Sequence, residues 1–96
     1  MDRTFKLRNL EFEWDDEKYA VNLRKHSIKF EEAEEVFFDP EQEFGDASVD
    51  EEVRQFVIGC SVSRRILLVV FIERGFRTPI ISARRATRQE RKEYEE

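Results

Sequence analysis

Seven consecutive apolar residues, Ile66-Leu67-Leu68-Val69-Val70-Phe71-Ile72, constrain the fold of this chain more than any other feature. The run is far short of the ~20 residues that span a bilayer, and it is rich in β-branched side chains. Such a run is a strand covered on both faces, because an uncovered face would place polar residues at alternate positions. Ser63-Arg64-Arg65 before it and Glu73-Arg74-Gly75 after it read as turns, so its neighbours in sequence return beside it. It is the most buried strand of a sheet, and a chain of 96 residues has room for one such core.

The following strand carries the candidate chemistry. Ile80-Ile81-Ser82-Ala83-Arg84-Arg85 delivers adjacent arginines and turns directly into a helix. Thr87 and Glu90 have capping-box spacing: the hydroxyl takes the amide three residues on, and the glutamate reaches back to the Ncap amide. Strand side chains alternate between faces, so Arg84 lies with Ser82, and Arg85 with Ile81 and Ala83. Pro79 has no N–H to donate, which puts it on an edge or at the start of the strand. The last helix, Thr87 to about Glu96, has little apolar surface beyond Tyr94 and depends on docking or on a partner.

Upstream, Leu10-Glu11-Phe12-Glu13-Trp14 alternates as a half-buried strand, and residues 1–9 form an extension expected to be disordered. Asp15 or Asp16 caps a helix running to about His26, with Tyr19, Ala20 and Leu23 on its inner stripe. Arg24, Lys25 and His26 occupy its last turn, where cations suit the carbonyl end. A second helix starts at Phe30, buries Phe30, Ala33, Val36 and Phe37, and stops at Asp39-Pro40. Residues 41–53 are acidic and give a weak strand plus a loop, with Gly45-Asp46 as a turn. Val53 to Ser61 is a further strand. The order β-α-α-β-β-β-β-α describes an α+β domain spanning residues 1–96, its sheet mostly antiparallel, with two N-terminal helices packed on it and a C-terminal helix.

Charge is unevenly placed. Residues 1–63 balance to −9 and residues 64–96 to +4, within a net −5. A basic working surface on an acidic body accounts for this, and so do two solvated faces with unrelated biases. One Cys excludes an internal disulfide, charges from Asp2 onward are unlike a signal peptide, and no membrane partner is expected, so the default location is the cytoplasm. One His, one Cys and scattered carboxylates supply no metal-ligand spacing. Three glycines cannot build a Walker or dinucleotide loop, so no cofactor is expected.

What remains is a set of cations able to meet in space: Lys25 and His26 from the first helix, Arg65 entering the central strand, and Arg84 leaving the last. RNA is cleaved when its own 2′-hydroxyl attacks the adjacent phosphate, which needs a base, cations for the developing charge, and an acid. The bland readings are equally concrete. A His at a helix C-terminus serves the dipole, Arg64 and Arg65 solubilise a turn, and Arg88, Arg91 and Lys92 are a solvated face. Lys25 and His26 stand about 100° apart around the helix, against a shared site. Trp14 is core by default, or stacks on a base from a strand end.

Phe12-Glu13-Trp14-Asp15, Asn22-Leu23-Arg24-Lys25-His26, Phe30-Glu31-Glu32-Ala33, Phe37-Phe38-Asp39-Pro40, Ile58-Gly59, Glu73-Arg74-Gly75, Ile80-Ile81-Ser82-Ala83-Arg84 and Glu90-Arg91 through Tyr94-Glu95 together resemble the BrnT family of bacterial toxins. The resemblance implies a RelE-like ribonuclease fold with its catalytic surface on the sheet. It implies metal-independent RNA cleavage, translation arrest, and neutralisation by a BrnA-type antitoxin. That antitoxin carries a ribbon-helix-helix domain, so operator DNA is met only through the complex. The implied catalytic positions are Lys25 and His26 for acid–base work, with Arg65 and Arg84 as phosphate clamps. Trp14, Arg64, Arg85 and Arg88 are the expected RNA contacts. Ser27, Lys29 and Arg64 stand where the family has Gly, Ser and Gly. Pro79 and Phe71 replace an Arg and a His, which raises the alternative of a catalytically inactive relative that only binds its antitoxin and regulates.

Overall fold

The computed structural model describes residues 10–96, together with the backbone of residues 2–7. Six strands form one sheet, β1 (Asp2–Leu7), β2 (Leu10–Asp15), β3 (Glu43–Asp46), β4 (Gln55–Cys60), β5 (Ile66–Phe71) and β6 (Arg77–Arg85), in the order β1-β2-β6-β5-β4-β3. Only the β2–β6 pairing is parallel. The helices are α1 (Asp16–His26), α2 (Phe30–Glu35), which continues as a 3-10 turn at Val36–Phe38, and α3 (Arg88–Glu95).

The seven-residue apolar run behaves as its composition requires. β5 pairs β4 on one side and β6 on the other, and Leu67, Val69 and Phe71 are buried on the face that α2 covers. With Phe12, Trp14, Ile28, Phe30, Ala33, Val36, Val57, Ile80 and Ala83 they make the core. On the opposite face Leu68 and Ile58 are shielded without joining that cluster. Gly59 lets the 3-10 turn approach: a Cβ there would sit 2.9 Å from the Val36 carbonyl oxygen.

Several sequence expectations are corrected by the packing. Residues 2–7 are a strand rather than a disordered extension; residues 1, 8 and 9 lie outside the described part. Phe5 and Leu7 alternate with polar residues, a period-two signal that was there to be read. Gly45 and Asp46 lie within β3, paired with Phe56 and Gln55, and are not a turn. Pro79 is buried inside β6 between β2 and β5, so it is not on an edge. It is tolerated near the start of the strand, where its carbonyl still accepts from the Ile72 N–H at 3.0 Å. The inner residue of α1 is Asn22, while Ala20 and Leu23 are exposed.

The left-handed positions are instructive. Ser27 closes α1 as its C-cap at φ 57°, and Arg64 turns the β4–β5 connection at φ 66°. Each non-glycine residue there costs roughly 1 kcal/mol. Lys29 stands before α2 without a side-chain cap, as its loss of a hydroxyl implies.

Candidate functional site

β2 pairs with β6 only through Arg77, Thr78 and Pro79. Beyond that point the edge of β6 is open, and α1 closes it by an unusual device. The Asn22 side-chain N–H donates to the Ala83 carbonyl (2.8 Å), and the Ala83 N–H donates to the Asn22 amide oxygen (3.0 Å). A buried amide thus replaces a missing strand partner and satisfies both edge groups. It also donates to the Ile28 carbonyl at 3.3 Å, fixing the chain just after α1. Nothing in a helical pattern marks such an asparagine as structural, so its role is not legible in the sequence.

This docking opens a groove of about 440 Å³ between α1 and β6, lined by Lys18, Val21, Asn22, Lys25 and His26 on one side and Ile81 and Ser82 on the other. Asp15 and Glu17 stand at its start, and Arg54 reaches it from the residue preceding β4. Lys18, Val21 or Asn22, and Lys25 recur at helical spacing, so one face of α1 supplies the wall. His26 joins at the helix end, so both members of the Lys-His pair line one groove despite their angular separation. The ladder shifts register between Val70 and Phe71, leaving Ile81 as an extra residue in β6 beside Ser82. Bulges of this kind re-aim side chains next to functional sites.

Arg84 follows Ser82 on the same face by strand alternation. Its Nη1 and Nη2 donate to the two carboxylate oxygens of Glu90 at 2.7 and 2.9 Å. Glu90 also receives the Thr87 N–H at 2.8 Å and returns its own N–H to the Thr87 hydroxyl at 3.2 Å, so the capping box and the arginine fork share one carboxylate. The Arg84 guanidinium, aided by the Thr87 amide, holds Glu90 down at about 2, and the Arg84 guanidinium is itself pushed up. The start of α3 therefore fixes Arg84, and Tyr94 at the other end donates to Asp39, which also accepts the Cys60 N–H at 2.7 Å.

Arg65 does not join the groove. Its Nε donates to Glu32 of α2 at 2.9 Å and its Nη2 to the other oxygen of that carboxylate, on the covered side of the sheet. Ser61 and Ser63 donate to the same carboxylate at 2.7 and 2.8 Å, and these contacts, Arg65 first, hold Glu32 at about 2. Trp14 is 3% exposed and packs edge-on against Tyr19 and Phe30, so it is a core residue and not an exposed stacking platform. Arg64 and Arg85 are exposed and line a separate cleft of about 560 Å³ with Arg65 and Arg91, while Arg88 lies with Arg91 and Lys92 on α3. The structure thus brings together Lys25, His26, Ser82 and Arg54, with Arg84 one alternation further. Among the described residues no three His, Cys, Asp or Glu side chains gather as a metal-ligand set.

Comparison with known proteins bears on this arrangement. The family described as ribonuclease toxin, BrnT, of type II toxin-antitoxin systems matches residues 14–90. The crystal structure of the Brucella abortus ribonuclease toxin BrnT is similar in fold: TM-score 0.58 at 24% identity, covering 78% of this chain and 94% of that one. No curated protein matches the sequence. The matched span includes α1 with its Lys-His end, the whole of β6 and the capping box to Glu90, and on that match the chain belongs to the BrnT family of ribonuclease toxins.

Proposed function

We propose that this chain is a metal-independent endoribonuclease toxin that arrests translation in the cytoplasm and is neutralised by a BrnA-type ribbon-helix-helix antitoxin, through which alone it meets operator DNA. The observation that carries this reading is the placement of Lys25 and His26 in one groove with Ser82, one alternation from Arg84. His26 or Lys25 takes the proton of a ribose 2′-hydroxyl, imidazole being the side chain suited to that exchange near neutral pH. The oxygen attacks the adjacent phosphorus, the bond to the 5′-oxygen breaks, and that oxygen receives a proton. The products are a 2′,3′-cyclic phosphate and a 5′-hydroxyl. Arg84 stabilises the phosphorane charge, its fork fixed by Glu90 and its Nε without an acceptor among the described residues. Arg64, Arg85 and Arg88 serve as outlying contacts to the RNA backbone. Arg65 serves the scaffold.

The inactive alternative rests on Phe71 and Pro79. Phe71 is 2% exposed and packs against Phe37 and Phe44 at ring distances of 5.0 and 6.0 Å, within the covered core. An apolar residue there removes no group from the groove, so that departure does not favour inactivity.

The test is cleavage of bulk RNA by the purified, antitoxin-free chain in excess EDTA. Cyclic phosphate ends, lost with Arg84→Ala while antitoxin binding persists, are the expected result. Folded protein that leaves RNA intact, free or on ribosomes, would return the chain to the interaction-module reading.

A further inference from the structure

The groove holds a cation that the Lys-His and Ser-Ala-Arg motifs do not include. Arg54 is the only Lys or Arg between Lys29 and Arg64, in the acidic stretch before β4. Its position is over-determined. The Arg54 N–H donates to the Ser48 hydroxyl at 3.1 Å, that hydroxyl donates to Asp46 at 2.6 Å, and the Ala47 N–H donates to the Arg54 carbonyl at 3.0 Å. Val49 and Glu52 exchange backbone hydrogen bonds of 3.1 and 3.0 Å, closing the connection tightly. The side chain is aimed by Glu52, which accepts from Nη2 at 2.8 Å.

That single bond leaves most of the guanidinium unused. Of its N–H donors, only Nη2 meets an acceptor among the described residues, and Nε is buried without one. The charge around the groove makes this consequential. Among the lining residues Lys18 and Lys25 are offset by Asp15 and Glu17, which leaves Arg54, paired with Glu52 beside the groove, as the remaining cation of the lining. The nearby end of α1 is the negative pole of its dipole, so an anion there depends on side-chain cations. The terminal nitrogens of a guanidinium offer planar donors matched to phosphate oxygens, while the buried Nε stays inside the protein.

We propose that Arg54, oriented by Glu52, binds the RNA phosphate held in the Lys25–His26 groove. The inference rests on the ribonuclease reading above and adds a substrate ligand to it. Phosphate oxygens meet Arg54 from the β4 side while the acid–base pair faces the sugar from α1.

The experiment measures binding of a 2′-deoxy oligonucleotide, which lacks the attacking hydroxyl, to the full chain over a series of salt concentrations. Arg54→Gln is expected to weaken binding about tenfold or more and to lower the salt slope by about one. Arg54→Lys should restore the slope but only part of the affinity, which separates lost charge from lost fold. Unchanged affinity and slope in a folded Arg54→Gln protein overturns the inference, even if His26→Ala abolishes RNA cleavage and the ribonuclease reading stands. Weakened binding with no cleavage by the wild-type chain supports the phosphate site while sinking the ribonuclease reading.

Discussion

At the junction of α2 with the β4–β5 turn, Arg65 is gripped through two nitrogens by Glu32, which two serine hydroxyls also reach. In the groove beside α1, Lys25 and His26 are exposed and form no ion pair among the described residues, and Arg54 spends one donor on Glu52. Both regions are rich in charge, and they differ in whether that charge is already answered by the protein. An arginine whose donors are taken by a carboxylate holds elements together; cations left open can hold a substrate. Arg84 stands between these cases, since Glu90 takes its two terminal nitrogens and fixes the plane of a group on the groove's own face.

The largest effect that could break this contrast is on activity. His26→Ala should lower RNA cleavage by about 10²–10⁴-fold. Thermal stability should stay within about 0.5 kcal/mol, because the imidazole is exposed. Kinetics paired with melting curves check both. A large loss of stability would move His26 to the structural side of the comparison.

Asn22→Ala should do the reverse. It strips the partners from the Ala83 N–H and carbonyl and from Ile28, at a cost of roughly 3 kcal/mol in urea denaturation. Groove function should fall as well, since α1 then loses its anchor on β6. Asn22→Asp, which keeps the acceptor but loses the donor, should cost nearly as much. A variant as stable as wild type would show that the edge of β6 needs no partner.

Glu34 gives a third case, a carboxylate with no cation paired to it among the described residues. It lies in α2 two residues after Glu32 and is buried, with one oxygen unpartnered. Burial, with repulsion from Glu31 and Glu35, raises it to about 7. Its folded value exceeds its ordinary 4.5, so the folded state holds the proton more tightly and stability falls as pH rises from 4.5 to 7. Glu34→Gln should therefore be more stable than wild type at pH 8, by on the order of 2 kcal/mol, with the two converging below 4.5. Denaturation at pH 4 and 8 reads the difference.

What could be read from the chain follows the same division. β5 announced itself because seven apolar residues have few other uses, and the α3 cap because its residues interact three positions apart. The Lys-His end of α1 and the arginines of β6 were visible as residues. The ion pairs were not, since Glu32 and Glu52 are ordinary carboxylates and Glu90 reads only as a capping residue until the fold brings them to Arg65, Arg54 and Arg84. Asn22 and Arg54 carry no signal of their roles in the sequence for a related reason. Asn22 acts on a backbone edge 61 residues away, and Arg54 acts across a groove formed only when that edge is closed. By strand alternation Arg65 shares a face with Leu67, Val69 and Phe71, which is the covered face, opposite to the face of Arg84.

The smallest effect concerns Arg65. If it belongs to the scaffold, Arg65→Ala should leave groove chemistry intact and cost roughly 1 kcal/mol, discounted because its side chain is 33% exposed. The pH dependence identifies the cause. Glu32 is depressed from 4.5 to about 2, so its pairing stabilises the fold fully above 4.5 and is lost as pH falls toward 2. The difference between Arg65→Ala and wild type should thus be largest near neutrality and shrink through that acid window, with Ser61 and Ser63 keeping part of the depression. Denaturation midpoints at pH 7 and 3 measure it. Loss of RNA cleavage at unchanged stability would instead place Arg65 in the chemistry, and would require a substrate that reaches both faces of the sheet.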